Sequence, residues 1–152
     1  MAAKAHVSPI RRPSRSEFPN VSDVTRKVMQ ANRSRDTGPE MVVRRLLHGL
    51  GFRYRLHRND LPGRPDIVFP RKHKAVLVHG CFWHHHDCQG GRIPKTRQAF
   101  WDAKLHGNRA RDERNVAALV ERGWSALTVW ECQLTDRAAL TTRLISFLAS
   151  DE

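Results

Sequence analysis

The first half of the chain contains two stretches in which apolar residues recur at helical spacing. A short helix, capped by Ser22 or Asp23, is predicted over about residues 22–32. A second helix is predicted to begin after a cap at Thr37 and to end at Gly51. Its spacing predicts that the following residues face the core: Met41, Val42, Leu46, Leu47 and Leu50.

Three short runs with the composition of strands follow this helix. They cover residues 52–56, 66–69 and 75–78. A tight loop at residues 61–65 and a turn at residues 70–73 separate them. The continuous apolar character of the second and third runs is typical of strands that are buried on both faces of a sheet.

The second half of the chain begins with a loop at residues 80–95 that is dense in Cys, His and Gly. A long helical pattern follows, which is predicted to break at Gly107–Asn108 and to end at Gly123. Residues 126–130 predict the last strand, and Thr135 is a candidate cap for a C-terminal helix. This order of elements predicts an α/β fold in which helices flank a mixed sheet.

Composition adds a strong positive charge to this picture. The chain has 152 residues, with 27 Lys and Arg against 15 Asp and Glu, and therefore a formal net charge of +12. The basic residues are spread from Arg11 to Arg143, which favours a polyanionic partner such as nucleic acid over a basic tail on an ordinary domain. Residues 1–20, rich in Pro and Ser, predict a mobile basic arm, and residues 21–152 predict a single domain.

The sequence gives no sign of a membrane segment or of a disulfide framework. No apolar run approaches the roughly 20 residues of a transmembrane helix, and no signal peptide is recognisable. Three cysteines are an odd number for disulfide pairing. We therefore expect a cytoplasmic protein without a membrane partner, a setting in which clustered Cys and His more often hold a metal.

The cysteines and one histidine form a candidate metal site. Cys81, His86 and Cys88 have the spacing C-x4-H-x-C, and Cys132 follows the last predicted strand. Three thiolates and one imidazole form a closed tetrahedral set, which predicts a structural zinc ion that ties the loop to the sheet. The neighbouring histidines leave the choice of imidazole open. The alternative is that the cysteines are unrelated and that Cys132 is a small buried apolar residue.

Asp66 opens the second predicted strand, and His79 ends the third. In a hairpin-like pair both residues lie at the same end of the sheet, where a carboxylate can hold Mg²⁺ for the attack of water on a phosphodiester. His79 and the nearby His84 are candidates for a general base or a phosphate ligand. The alternative is that Asp66 caps a turn and pairs with Arg64.

Large aromatic residues stand among these basic and His-rich segments. Phe82 and Trp83 lie in the loop that zinc would stiffen, and Phe100 and Trp101 lie near the start of the long helix. Exposed aromatic side chains beside a basic surface can wedge between base pairs. Phe100 is expected instead to seal the core.

Five segments carry a combination of residues that is more specific than any one of them. They are RDTGPE, GFRYRLHRNDLPGRPDIVFP, VHGCFWHHHDC, FWDAKLHGNRARD and VWEC. In unbroken order from about Thr25 to Cys132, the chain resembles the very-short-patch (Vsr) DNA mismatch endonucleases. The resemblance implies a type II restriction-endonuclease-like fold and nicking of one strand on the 5′ side of the thymine in a T:G mismatch. Such mismatches arise when 5-methylcytosine deaminates.

The resemblance also implies roles for individual residues. Those implied in catalysis are Asp66 and the backbone carbonyl of Val78 as Mg²⁺ ligands, His79 and His84 at the phosphate and the water, and Glu40 and Asp112 as supporting acidic groups. Structural Zn²⁺ would be held by Cys81, His86, Cys88 and Cys132. The implied DNA contacts are Phe82, Trp83 and Trp101 at the mismatch from the major-groove side, and Met29 of the first helix at the minor groove.

The resemblance further implies the partners and the setting of the protein. The substrate would be double-stranded DNA with a T:G mismatch, and other mismatch-repair proteins are candidate partners. We expect a monomer in the bacterial cytoplasm, associated with the nucleoid.

One position departs from the family pattern, which has Thr where this chain has Val78. The backbone carbonyl survives this change, but a hydroxyl that would orient metal-bound water does not, so the change predicts a lower rate or an altered metal preference. Two alternative functions follow. One is a restriction-like or phage-related DNA endonuclease without mismatch specificity; the other is a catalytically decayed, zinc-stabilised DNA-binding module, for which Val78 is the only sequence indication.

Overall fold

A computed structural model describes residues 35–150 of the chain. The predicted basic arm, the first predicted helix and Met29 lie outside the described residues. In chain order the elements are α1 (Gly38–Gly49), β1 (Arg55–Leu56), β2 (Ile67–Phe69), β3 (Lys74–His79), α2 (Gln98–Glu121), β4 (Ser125–Trp130) and α3 (Arg137–Ala149). Short 3₁₀ segments lie at Pro70–Lys72, Gln89–Gly91 and Glu131–Thr135.

The four strands form one mixed sheet, as the sequence predicted, and their order in it is β1-β2-β3-β4. β1 pairs antiparallel with β2. β2 also pairs antiparallel with β3, because the turn at Pro70–Lys72 reverses the chain between these two strands. β3 and β4 pair parallel, which requires the long crossover that α2 provides. The register places His79 opposite Trp130. The start of β2 and the ends of β3 and β4 therefore share one edge of the sheet.

The two faces of the sheet carry separate hydrophobic clusters, because successive side chains of a strand point to opposite faces. One cluster joins the sheet to α1 and α3, and its buried members include Val43, Leu47, Ile67, Phe69, Val76, Leu140, Leu144 and Leu148. The other joins the sheet to α2 and comprises Leu61, Val68, Leu77 and Leu119. Helices thus cover both faces. Within residues 35–150, no helix has the length and apolar character needed to cross a membrane.

The first described helix differs from the prediction in the face that it buries. Thr37 caps α1, as predicted, and its hydroxyl accepts the N–H of Glu40 at 3.4 Å. Leu47 is buried as predicted, and Leu46 packs against the core while partly buried. The other buried residues, however, are Glu40, Val43 and Arg44 instead of Met41 and Val42. These positions fall on one face of a 3.6-residue helix. Leu50 lies beyond the end of α1 and is 37% exposed.

Three other element predictions need correction. The predicted strand at residues 52–56 pairs only over Arg55–Leu56. α2 continues through Gly107–Asn108, because a single glycine costs only about 1 kcal/mol in a helix and the Asn108 side chain donates to the carbonyl of Trp83 at 2.9 Å. The cap of α3 is Asp136, whose carboxylate accepts the N–H of Ala139, whereas the Thr135 hydroxyl donates to the Cys132 carbonyl.

Candidate functional site

Asp66 lies at the shared edge of the sheet, immediately before β2. Its Oδ2 accepts the backbone N–H of Val78 at 2.7 Å, so the carboxylate points to the end of β3. Its backbone carbonyl accepts the N–H of His57 at 3.4 Å. Among the described residues, Arg64 forms no ion pair with Asp66, which removes the basis for the turn-cap alternative. The contact with Val78 is made by the N–H group, and a metal contact by the Val78 carbonyl stays a prediction.

The surroundings of Asp66 suit a divalent cation. Burial raises the pKa of Asp66 from 3.8 to about 6, against the effect of the Val78 N–H. The Glu40 carboxylate also raises this pKa, while His57 and Arg44 lower it. A bound cation would offset the cost of burying the ionised carboxylate. Mg²⁺ commonly takes one or two protein carboxylates, with waters and substrate phosphates as its other ligands, so Asp66 fits that role.

His79, His84 and Asp112 come together beside this edge. The rings of His79 and His84 stack at a centroid distance of 3.8 Å and an interplanar angle of 5°. His84 Nδ1 lies 2.5 Å from Asp112 Oδ2, on α2. Because the carboxylate accepts a hydrogen bond from Nδ1–H, the neutral imidazole of His84 has its lone pair on Nε2. This is the arrangement in which a carboxylate orients a histidine as a general base.

His79 is buried, and it cannot readily carry a charge. Burial lowers the pKa of His79 from 6.5 to about 4, and the neighbouring His84 lowers it further, against the effect of Asp112. A neutral His79 at pH 7 can accept or donate one hydrogen bond. The three side chains line an open cavity of about 490 Å³, together with Arg109, Thr128 and Trp130. Both imidazoles line this cavity, which is large enough for a phosphate group.

The predicted zinc ligands also converge. The three Sγ atoms and a ring nitrogen of His86 all lie within 4.8 Å of one another. His86 Nδ1 is 3.5 Å from Cys132 Sγ, and the Cys132 N–H donates to Cys81 Sγ at 3.4 Å. Tetrahedral zinc with bonds of about 2.0–2.3 Å needs similar ligand spacings. The donor set therefore fits Zn²⁺, and its other three ligands all lie more than forty positions before Cys132 in the chain.

Backbone packing and aromatic stacking shape the loop around these ligands. The His86 ring stacks on Trp130 at 4.2 Å and 14°. Gly91 leaves no room for a side chain, because a Cβ there would lie 1.9 Å from the His86 carbonyl oxygen. Burial raises the pKa of Cys81 to about 12, although the Cys132 N–H opposes it. A metal ion would supply the positive charge that a Cys81 thiolate needs in this position.

The predicted DNA-contacting aromatics form a cluster where the loop meets α2. Phe82 packs against Trp83 and Trp101, with ring centroids 5.1 and 5.3 Å apart. Trp101 is only 8% exposed, whereas Phe82 and Trp83 are partly exposed. The prediction that Phe100 seals the core is wrong, since it is 41% exposed. The helix position of Trp101, one residue on, turns that side chain inward instead.

A buried charged cluster beside Asp66 was missed by the sequence interpretation. Arg44 donates to Asp36 at 2.6 Å, to Glu40 at 2.7 Å and to Nε2 of His57 at 2.8 Å. Glu40 is 3% exposed and also accepts hydrogen bonds from the Asp36 N–H and the Thr37 hydroxyl, both at 3.0 Å. The i,i+4 spacing of Glu40 and Arg44 was the available signal for this pair. The contribution of His57 had no local signal.

Comparison with known proteins places the chain among bacterial nucleases. The model of the family described as DNA mismatch endonuclease Vsr matches residues 22–90. The type II nicking enzyme V.XorIIP of Xanthomonas oryzae pv. oryzae is 53% identical over 81% of this chain and 90% of its own length. The DNA mismatch endonuclease Vsr of Escherichia coli is 42% identical over 79% of this chain and 77% of its own length.

A solved structure supports the fold assignment. The catalytic domain of the homing endonuclease I-Bth0305I matches with a TM-score of 0.53 over 74% of this chain and 94% of that domain. At 20% sequence identity the likeness concerns the fold. The flanked four-stranded sheet is thus an architecture that a nuclease domain also uses.

Proposed function

Because the chain belongs to the Vsr family of DNA mismatch endonucleases, and is therefore a DNA endonuclease and a hydrolase, we propose that it nicks one strand of duplex DNA 5′ of the thymine in a T:G mismatch. The observation that carries the proposal is the His84–Asp112 pair, stacked on a neutral His79 beside the edge that carries Asp66. That arrangement offers a general base, an orienting carboxylate and a metal ligand for phosphodiester hydrolysis.

In the proposed mechanism each residue has one task. Asp66 would hold Mg²⁺, which when bound polarises the phosphate and activates water. His84 takes the proton of the attacking water at Nε2, while Asp112 keeps the ring in the required tautomer. One P–O bond forms to the water oxygen, the bond to the departing sugar oxygen breaks, and that oxygen takes up a proton from solvent water. The ring N–H of His79 donates a hydrogen bond to a phosphate oxygen, and Glu40 is a second carboxylate whose charge acts on Asp66.

The remaining predicted residues would bind and shape the substrate complex. The net charge of +12 favours DNA binding through phosphate contacts. Phe82 and Trp83 would insert at the mismatch. Trp101 was predicted to insert with them, but it is 8% exposed and packs against Phe82, so we propose that it supports the other two rings from within the protein. Zinc on the cysteine cluster would stiffen the loop that carries them. We propose that the protein acts as a monomer, with other repair proteins as its partners after the nick.

The second candidate function is a DNA endonuclease that uses the same hydrolytic chemistry but has no specificity for a mismatch. The observation that favours it is that several relatives at 32–53% identity, V.XorIIP among them, are named type II nicking enzymes. A third possibility is a zinc-stabilised module that binds DNA without cleaving it. Its sequence indication is Val78, which stands where the family pattern has Thr. Substrate preference and turnover separate the three.

A nicking assay on strand-labelled duplexes tests the proposal. The duplexes would carry T:G or the matched C:G pair at one position, in a panel of flanking sequences, with Mg²⁺ or with chelator. We expect Mg²⁺-dependent nicking of the thymine strand only in T:G duplexes, and its loss in Asp66→Ala and His84→Ala. Equal nicking of matched duplexes would favour the second function. Mismatch binding without turnover in Mg²⁺ or Mn²⁺ would overturn both nuclease proposals.

A further inference from the structure

Asp66 is held at its backbone as well as at its carboxylate. Its carbonyl accepts the N–H of His57, one residue beyond the pairing of Leu56 with Ile67 that ends the β1–β2 ladder. Its carboxylate accepts the N–H of Val78. These two hydrogen bonds hold Asp66 between its neighbours on either side in the sheet. A displacement of His57 therefore changes one of the two contacts that set the direction of the carboxylate.

His57 has a backbone conformation that needs support. Its φ is +46°, in the left-handed region, where a non-glycine residue pays of order 1 kcal/mol or more. Its imidazole is partly buried, and Nε2 lies 2.8 Å from Nη2 of Arg44. A guanidinium can only donate, so Nε2 is the acceptor and the ring proton of His57 is on Nδ1. The contact with Arg44 thus holds the ring in one tautomer and one orientation.

Arg44 is itself fixed from several sides. Its guanidinium is buried and donates to Asp36 and Glu40 as well as to His57. Its backbone carbonyl accepts the hydroxyl of Tyr54 at 3.0 Å. A planar guanidinium can serve three acceptors in one plane, which a lysine ammonium cannot reproduce in the same geometry. Arg44 therefore ties α1 firmly to the segment that contains His57.

We propose that Arg44 and His57 are positioning residues for a divalent cation at Asp66. Arg44 fixes the imidazole of His57, and the His57 backbone fixes Asp66, so that the carboxylate is presented at the end of β3. Neither residue is a ligand of the cation. This inference rests on the proposed role of Asp66 as the metal ligand. Loss of a partner that holds a metal ligand in place typically costs about 10- to 100-fold in metal affinity.

A matched pair of substitutions isolates the hydrogen bond at His57. His57→Gln and His57→Met have side chains of similar length and pay the same left-handed backbone cost. Only Gln offers an oxygen that can accept the bond from Arg44 near the position of Nε2. Mn²⁺ would be titrated calorimetrically into the zinc-loaded full chain without DNA. We expect His57→Met to weaken Mn²⁺ binding by about 10- to 100-fold. His57→Gln should keep most of the affinity, and the Mg²⁺ dependence of nicking should shift in parallel.

Two control variants separate this inference from the proposed function. Asp66→Ala should abolish the Mn²⁺ binding measured here. Arg58→Met removes the neighbouring arginine, which pairs with the exposed Asp60, and should leave the affinity unchanged. Parental Mn²⁺ affinity in His57→Met would overturn the inference while leaving the function intact, as would equal loss in the Gln and Met variants. Mn²⁺ binding that survives in Asp66→Ala would overturn both.

Discussion

The two halves of the candidate site are held in place by different means. The strand half, which comprises Glu40, Arg44, His57 and Asp66, is fixed by the sheet, by α1 and by buried hydrogen bonds between charged groups. The loop half, residues 80–91, contains only one 3₁₀ turn as regular structure. Its side chains are held by the cysteine cluster, by stacking on Trp130 and by the hydrogen bond from Asn108.

The different origins of order in the two halves indicate which interaction each half needs for its structure. The backbone hydrogen bonds within the loop half are local turns, such as the one from the His86 N–H to the Cys81 carbonyl at 3.0 Å. Such a segment must obtain much of its order from side-chain contacts or from a bound ion, because ordering each residue costs about 1–2 kcal/mol of conformational entropy. The strand half obtains its order from the fold itself. The loop half should therefore respond to zinc removal, and the strand half to the loss of a buried charge.

Removal of zinc should have the largest effect, and it should be confined to the loop half. Structural zinc contributes about 10–16 kcal/mol in small zinc-binding peptides, far more than any single contact in this loop. We expect chelation, or Cys88→Ser, to abolish nicking and to expose residues 80–91 to hydrogen exchange. Amides of β2 and β3 should keep their protection. Loss of protection across the whole sheet would show that the two halves form one cooperative unit.

Asp112→Asn should reduce the nicking rate by about 10²- to 10⁴-fold without destabilising the protein. An amide in place of the carboxylate can donate to Nδ1 of His84, which would move the ring proton to Nε2 and remove the acceptor needed for the water. The loss should appear in single-turnover rates at saturating DNA and Mg²⁺. Mn²⁺ binding, which belongs to the strand half, should stay as in the parent. A rate within a few-fold of the parent would exclude His84 as the base.

Sequence reasoning predicted the two halves unequally. The Cys81, His86 and Cys88 spacing and the position of Cys132 were sufficient to group the cluster, because ligand types at short spacing carry their own chemistry. The sharing of one sheet edge by Asp66 and the end of β3 followed from the predicted hairpin. The contact between Arg44 and His57 could not be predicted, because it joins a helix to a left-handed residue thirteen positions away. Such a φ value is set by tertiary packing.

Arg44→Met should destabilise the protein by about 3–5 kcal/mol, because it leaves the Glu40 carboxylate buried without its partner. Adding Glu40→Gln should restore much of that stability, since the amide removes the buried charge and can still accept from the Thr37 hydroxyl. Urea unfolding of the zinc-loaded variants measures both. Arg109→Met is the matched control, because its exposed i,i+4 pair with Glu113 contributes less than about 0.5 kcal/mol. Additive losses in the double variant would contradict the coupling.

Asp66→Asn should abolish nicking but stabilise the magnesium-free protein. This gain in stability is the smallest of the expected effects. The folded pKa of about 6 lies above the ordinary value of 3.8, so the folded state holds the proton more tightly than the unfolded state. Ionisation of Asp66 therefore opposes folding as pH rises from about 4 to 6, and the full cost is present above pH 6. At about 1.36 kcal/mol per pKa unit, this cost is about 2–3 kcal/mol. Asn keeps an oxygen that can accept the Val78 N–H.

Urea unfolding of zinc-loaded parent and Asp66→Asn at pH 5, 6 and 8 would measure this gain. It should be full at pH 8 and smaller at pH 5, and Mg²⁺ should reduce it by stabilising only the parent. Asp60→Asn is the control of opposite sign, because the hydrogen bond from Arg58 lowers the pKa of that carboxyl and its loss brings no stability. A pH-independent gain would mean that packing, and not the buried charge, is relieved. A gain that follows pH would mean that the ionised Asp66 carboxylate, which is needed to bind a cation, destabilises the strand half when no cation is bound. In the loop half, by contrast, a bound zinc ion would stabilise the structure.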